Sequence, residues 1–112
     1  MKEAFIFLAT GFEEIEALGT ADILRRGGVR TTTVSIDGNM RVMGAHNIPV
    51  IADYVFEDAD YSTADALILP GGIPGSNHLN TCTRLKELVM EKYKENKILA
   101  AITRNAVTPN CT

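Results

Sequence analysis

Ala4-Phe5-Ile6-Phe7-Leu8-Ala9-Thr10-Gly11-Phe12-Glu13-Glu14-Ile15-Glu16 is the stretch that decides the fold. The apolar run from Ala4 to Ala9 does not alternate with polar residues, which suits a strand covered on both faces, as in a parallel sheet. Thr10-Gly11-Phe12 reads as a turn, and a helix is expected from about Glu13 to Arg26. Its apolar positions Ile15, Ala17, Leu18, Ala21, Ile23 and Leu24 wrap most of the circumference, so the helix is expected to touch more than one partner surface. Gly27-Gly28 supplies the stop.

Working outward, Thr31-Thr32-Thr33-Val34-Ser35-Ile36 is rich in β-branched residues and reads as the second strand. Asp37-Gly38-Asn39 is a turn signal. Arg41–Gly44 and Ile48–Ala52 are short and read as an excursion at the sheet edge, where Pro49 is tolerated because it cannot donate to a ladder. Glu57–Thr63 is a polar connection. Ala66-Leu67-Ile68-Leu69 is another buried strand, running into the dense turn Pro70-Gly71-Gly72-Ile73-Pro74-Gly75. Thr83–Asn96 carries Leu85, Leu88, Val89 and Tyr93 on one helical stripe, and Ile98–Ile102 is the last buried strand. From Thr103 to Thr112 the text is polar and aperiodic.

The order β-α-β-(hairpin)-β-α-β predicts a doubly wound parallel α/β sheet. About five parallel strands at about 30 residues per βαβ step need more chain than these 112 residues supply. The sheet is therefore expected to be incomplete, with C-terminal strands and helices missing. Residues 1–102 would be the α/β domain and 103–112 an atypical tail. A strand at 98–102 left without neighbours would expose apolar surface and a bare edge, so other copies are expected to cover it.

The composition narrows the function. With 11 Lys+Arg against 14 Asp+Glu the net charge is −3, which lacks the basic excess of a nucleic-acid module. No apolar run approaches the ~20 residues that span a bilayer, so no membrane partner is expected and the cytoplasm is the expected compartment. Cys82 and Cys111 form neither a CxxC pair nor a zinc spacing and are expected to be reduced thiols. The Gly71-Gly72 turn lacks the Gly-Lys-Ser/Thr of a P-loop and the spacing of a dinucleotide fingerprint. No cofactor and no metal are expected.

Three places carry chemistry. Glu13, Glu14 and Glu16 open the first helix, where acids are favoured simply because a helix N-terminus is partly positive. Glu16 is the acid expected to face the crevice at the carboxyl ends of the strands, where α/β proteins bind ligands. Gly71 and Gly72 follow a strand and allow backbone N–H groups to approach an anion or oxyanion. Thr103 follows Ala100-Ala101-Ile102, at a strand end where a sharp turn into a helix would present a nucleophile. His46 and His78 read as surface loop residues.

In order, Phe7-Leu8-Ala9-x-Gly11-Phe12-Glu13-Glu14-Ile15-Glu16, Asp22-Ile23-Leu24-Arg25-Arg26-x-Gly28, Ala66-Leu67-Ile68-Leu69-Pro70-Gly71-Gly72 and Ala100-Ala101-Ile102 resemble the ThiJ/PfpI superfamily. That group includes the parkinsonism-associated protein deglycase and bacterial proteins labelled for thiazole monophosphate biosynthesis. The resemblance covers about residues 3–102. It implies a flavodoxin-like sandwich, usually a homodimer through the first helix, acting on small-molecule or glycated substrates. It also implies a cysteine nucleophile paired with a glutamate that matches Glu16, and an oxyanion site that matches Gly72 beside Gly71. The resemblance breaks at Thr103, which stands where the family has its cysteine, and the family histidine beyond it has no match. A threonine hydroxyl has no readily formed anion and needs an adjacent base. The chain as written is therefore expected to lack the family's cysteine chemistry. A parent gene cut by frameshift, early stop or truncation would explain the break, and the alternative function is a non-catalytic, chaperone-like or binding module.

Overall fold

The computed structural model describes residues 2–71 and 79–101. Strand β1 (Glu3–Leu8) leads into helix α1 (Glu14–Arg26), then β2 (Arg30–Ser35), β3 (Arg41–Met43), β4 (Pro49–Ile51) and β5 (Tyr54–Val55). One 3-10 turn (Phe56–Asp58) precedes β6 (Ala66–Leu69), α2 (Leu79–Lys94) and β7 (Ile98–Ala101). The main sheet has the order β5-β2-β1-β6-β7, and every pairing within it is parallel. The chain first builds outward from β1 through β2 to β5, then crosses to the other side of β1 for β6 and β7. This is the expected α/β sheet, and the crossing places a topological switch point between β1 and β6.

Alternate residues of β1 explain the two layers. Ala4, Ile6 and Leu8 face α1 and pack with Phe12, Ala17 and Ala21. Phe5, Phe7 and Ala9 face the other way, into a cluster with Val34, Phe56, Leu67, Leu85 and Leu88. Because both faces are covered, every residue from Ala4 to Ala9 is buried, which is why the run shows no alternation. Helix α1 ends through Gly28 at φ +86, a conformation that favours glycine, while Val29 N–H returns to the Leu24 carbonyl at 2.9 Å.

Several expectations are corrected. The segment read as an edge excursion is a separate two-stranded antiparallel sheet, β3 with β4, whose Val42 packs with Ala52 into the α1-side core. The edge strand is β5, which the sequence reading did not contain. Asp53 seats it: its carboxylate accepts the Thr33 N–H at 2.9 Å and Oγ1–H at 3.2 Å, and an Arg25 N–H at 3.3 Å. The connection 57–63, read as merely polar, contributes Tyr61 to the aromatic cluster around Phe7, beside Phe56 just before it. Helix α2 begins at Leu79 rather than Thr83; Leu85 and Leu88 are buried, whereas Tyr93 is exposed. On α1 only the small Ala17 and Ala21 of the apolar set are buried, and Ile15 (80% exposed) and Ile23 (69%) face outward. Among the described residues β7 is the outer strand on its side, with Ile98 65% exposed.

Lys92 of α2 runs against its type. Its side chain is 1% exposed, and its ammonium donates to Glu95 Oε1 at 3.3 Å, one turn further on. Charged amines are rarely buried without such a partner.

Candidate functional site at the switch point

Helix α1 starts at the carboxyl end of β1, and the chain leaving β6 passes beside it. Glu16 Oε1 accepts the Gly71 backbone N–H at 2.9 Å, and the Glu13 N–H donates to the Gly71 carbonyl at 3.1 Å. The first turn of α1 thus grips Gly71 from both sides. Of the expected site residues, the structure brings Glu16 and Gly71 together; Gly72 and Thr103 lie outside the described residues, as do His78, Cys111 and the Cys82 thiol. A half-buried carboxylate next to a glycine turn, at the carboxyl ends of parallel strands, can orient a nucleophile or a polar substrate group there.

The second acid has a different task. Glu14 is 5% exposed. Its Oε2 accepts the backbone N–H groups of His46 at 2.7 Å and Ile48 at 3.3 Å, while Oε1 meets His46 Nδ1 at 2.9 Å. Burial alone would push this carboxyl up. The hydrogen bonds from the His46 ring and from backbone N–H groups outweigh it and hold Glu14 at about 2. The hydrogen bond to Glu14, then the charges of Glu14 and Glu13, raise the His46 imidazole above its usual value. His46 is a surface residue as expected, but it is not an idle one. Two further backbone bonds complete the joint: Gly11 N–H to the Met43 carbonyl and Ala45 N–H to the Phe12 carbonyl, both 2.8 Å.

Glu13, Glu14 and His46 are the one group of metal-ligating residues among those described, with donor atoms within 4.8 Å of one another. Both Glu14 oxygens already accept hydrogen bonds, so this cluster is built as an anchor for the β3–β4 turn rather than as a cradle for a cation. Sequence reasoning missed that role. Acids at a helix start look alike on paper, and only the tertiary approach of residues 44–48 separates Glu14 from Glu13.

Fold and site together define a doubly wound α/β protein with an acid and a glycine turn at its switch point. Residues 2–108 match the DJ-1/PfpI family, and the chain belongs to that family. It is 36% identical over 101 residues to protein DJ-1 homolog B of Arabidopsis thaliana, covering 90% of this chain and 23% of that protein. It is 32% identical over 90 residues to the glutathione-independent glyoxalase DJR-1.2 of Caenorhabditis elegans, covering 80% of this chain and 47% of that one. Among solved structures, a cysteine-to-alanine mutant of the DJ-1 superfamily protein STM1931 from Salmonella typhimurium superposes with a TM-score of 0.80 at 34% identity, covering 90% of this chain and 55% of that chain. The chain thus spans about half, or less, of the length of these relatives. No helix among the described residues is long and apolar enough to cross a membrane.

Proposed function

We propose that the chain forms the amino-terminal part of a DJ-1/PfpI domain of the glyoxalase or deglycase type, acting on small reactive carbonyl compounds or glycated groups; the family match runs to residue 108, past the boundary at 102 expected from the sequence. The observation that carries this reading is the 2.9 Å bond from the Gly71 N–H to Glu16 at the switch point. In it, Glu16 is the acid that hydrogen-bonds the nucleophile, and Gly71 with Gly72 supplies backbone donors for an oxyanion. The glyoxalase among the relatives supports the substrate class. With Thr103 in the nucleophile position, the chain as written runs no thiolate chemistry, because a hydroxyl is not ionised near neutral pH. The test is methylglyoxal consumption by the purified chain, with labelling by a thiol probe at pH 6 alongside. The expected result is no turnover above buffer and no fast-labelling cysteine. Turnover comparable to a full-length relative overturns the inactivity, and with it the assignment of position 103.

A second reading has its own support. Among the described residues β7 is the outer strand, and a mostly apolar groove of about 490 Å³ beside it, lined by Leu24, Val29, Ile68, Ile98 and Ala100 with Asp65 and Lys97 at its polar part, favours an assembly or binding role. In this reading the chain self-associates as a homodimer or larger assembly in the cytoplasm. Light scattering of a concentration series checks it: a well-folded monomer at all concentrations excludes it.

A further inference from the structure

We infer that Glu14 is a positioning residue for the Glu16–Gly71 contact, acting by clamping the β3–β4 turn onto the first turn of α1. The inference rests on the reading of Glu16 given above and adds the device that holds it in place.

Glu14 and Glu16 are two residues apart on one helical turn and point to different neighbours. Glu14 reaches the β3–β4 turn through His46 and Ile48, and Glu16 reaches Gly71 after β6. Between them, the Glu13 N–H holds the Gly71 carbonyl. Any rotation or fraying of this first turn moves both carboxylates together, and a helix start without a side-chain cap is prone to fray. Glu13, the N-cap residue, makes no side-chain cap bond, so the fixing has to come from outside the helix. Glu14 supplies it. Its carboxylate is buried, accepts from one ring and two backbone N–H groups, and sits against Gly44 so closely that a Cβ there would overlap its Cγ, Cδ and Oε2. Gly44 has no positive φ, so space for Glu14, and not backbone conformation, is what an added methyl would remove.

Gly44→Ala therefore displaces the Glu14 carboxylate while leaving its chemistry intact, and Glu14→Ala removes it. Glu14→Gln is the conservative case. One amide oxygen can still accept from both His46 N–H and Ile48 N–H, since both donate to the same carboxylate oxygen, and its NH2 can turn to a neutral His46 ring.

The experiment is residue-resolved amide hydrogen exchange on the full 112-residue chain, comparing Gly71 with Ile6 and Thr33 in the sheet. The expected result is Gly71 exchange at least tenfold faster in both Glu14→Ala and Gly44→Ala, with Ile6 and Thr33 within twofold of wild type. Glu14→Gln is expected to stay within threefold at all of these sites. Gly71 unchanged in Glu14→Ala and Gly44→Ala overturns the inference. So does Gly71 accelerating only in step with Ile6 and Thr33, which marks a general loosening, and so does a Gln variant as fast as the Ala variant. Where Glu14→Ala fails to fold, Gly44→Ala and Glu14→Gln decide. Glu16→Ala separates the two readings. If it leaves Gly71 exchange untouched, the reading of Glu16 fails; if it accelerates Gly71 while the Glu14 and Gly44 variants do not, only the positioning role fails.

Discussion

The two faces of the sheet are closed by different materials. The α2 face is aromatic: Tyr61 meets Phe5, Phe7 and Phe56, and Phe7 meets Phe56, with ring centroids 5.0 to 6.0 Å apart, and Leu85 and Leu88 join the same cluster. The buried cluster of the α1 face has a single ring, Phe12, and mixes the aliphatic Ile6, Leu8, Val42 and Ile68 with Ala4, Ala17, Ala21 and Ala52; among the described residues a groove lined in part by Ala66 and Ala100 runs beside β7. Large rings fill space from a distance and tolerate an irregular connection such as 56–65. Alanines let a helix backbone approach closely, but they cover only what lies directly beneath it. The face that carries the Glu16–Gly71 contact is thus tight at its carboxyl end and, among the described residues, grooved at its β7 side.

This contrast can be tested by substitution. Phe7→Ala, at a fully buried ring in the aromatic cluster, is expected to cost about 3–5 kcal/mol, read as a shift in the urea midpoint. A loss below about 1 kcal/mol would mean that the aromatic face is not the main core. Tyr61→Phe keeps the ring but removes the hydroxyl that donates to the Phe56 carbonyl at 2.8 Å, and is expected to cost about 0.5–1.5 kcal/mol by the same measurement. Burial also raises the Tyr61 phenol above its usual value, so its ultraviolet titration is expected to fall above the ordinary tyrosine range.

The tight end of the α1 face has its own pH signature. Glu14 is depressed to about 2 in the folded chain, so its stabilisation is complete above its ordinary value near 4.5 and is lost as pH falls from there toward 2. His46 is raised, so its part is complete below 6.5 and is lost as pH rises through its elevated value. Urea midpoints across the pH range should therefore fall on both sides of a maximum between these windows, and Glu14→Gln should flatten both limbs. Unchanged limbs in that variant would place the titration elsewhere. The smallest effect belongs to the open side. Ile98→Ala is expected to change stability by no more than about 0.5 kcal/mol in a dilute monomer, because the side chain is 65% exposed. A much larger loss that depends on protein concentration would show the groove to be covered by a second copy.

How much of this was legible follows the same division. The uninterrupted run Ala4–Ala9 and the strand-turn-helix at Gly11–Glu16 were readable because two-sided burial removes alternation and because acids gather at helix starts. Glu16 was singled out through its ordered neighbours, and its contact with the Gly71 N–H comes from the structure. The short pair at 41–44 and 48–52 was readable as a hairpin, but its place apart from the main sheet was not, since Val42 and Ala52 join the α1-side core across a long separation in sequence. Strand β5, only Tyr54 and Val55, is too short to leave a pattern although both are strand-favouring residues, and the neighbouring Asp53 ties it to β2 through Thr33. Glu14 was hidden for a third reason. The helix dipole already explains an acid there, so its tertiary partners leave no mark in the local pattern.

The buried amine of Lys92 turns helix α2 into its own reporter. An acylating reagent reaches a nitrogen whose side chain is 1% exposed only after the surroundings of that side chain open. The rate at which that one lysine becomes acylated, set against exposed Lys94 two residues away, measures how often the last turns of α2 open.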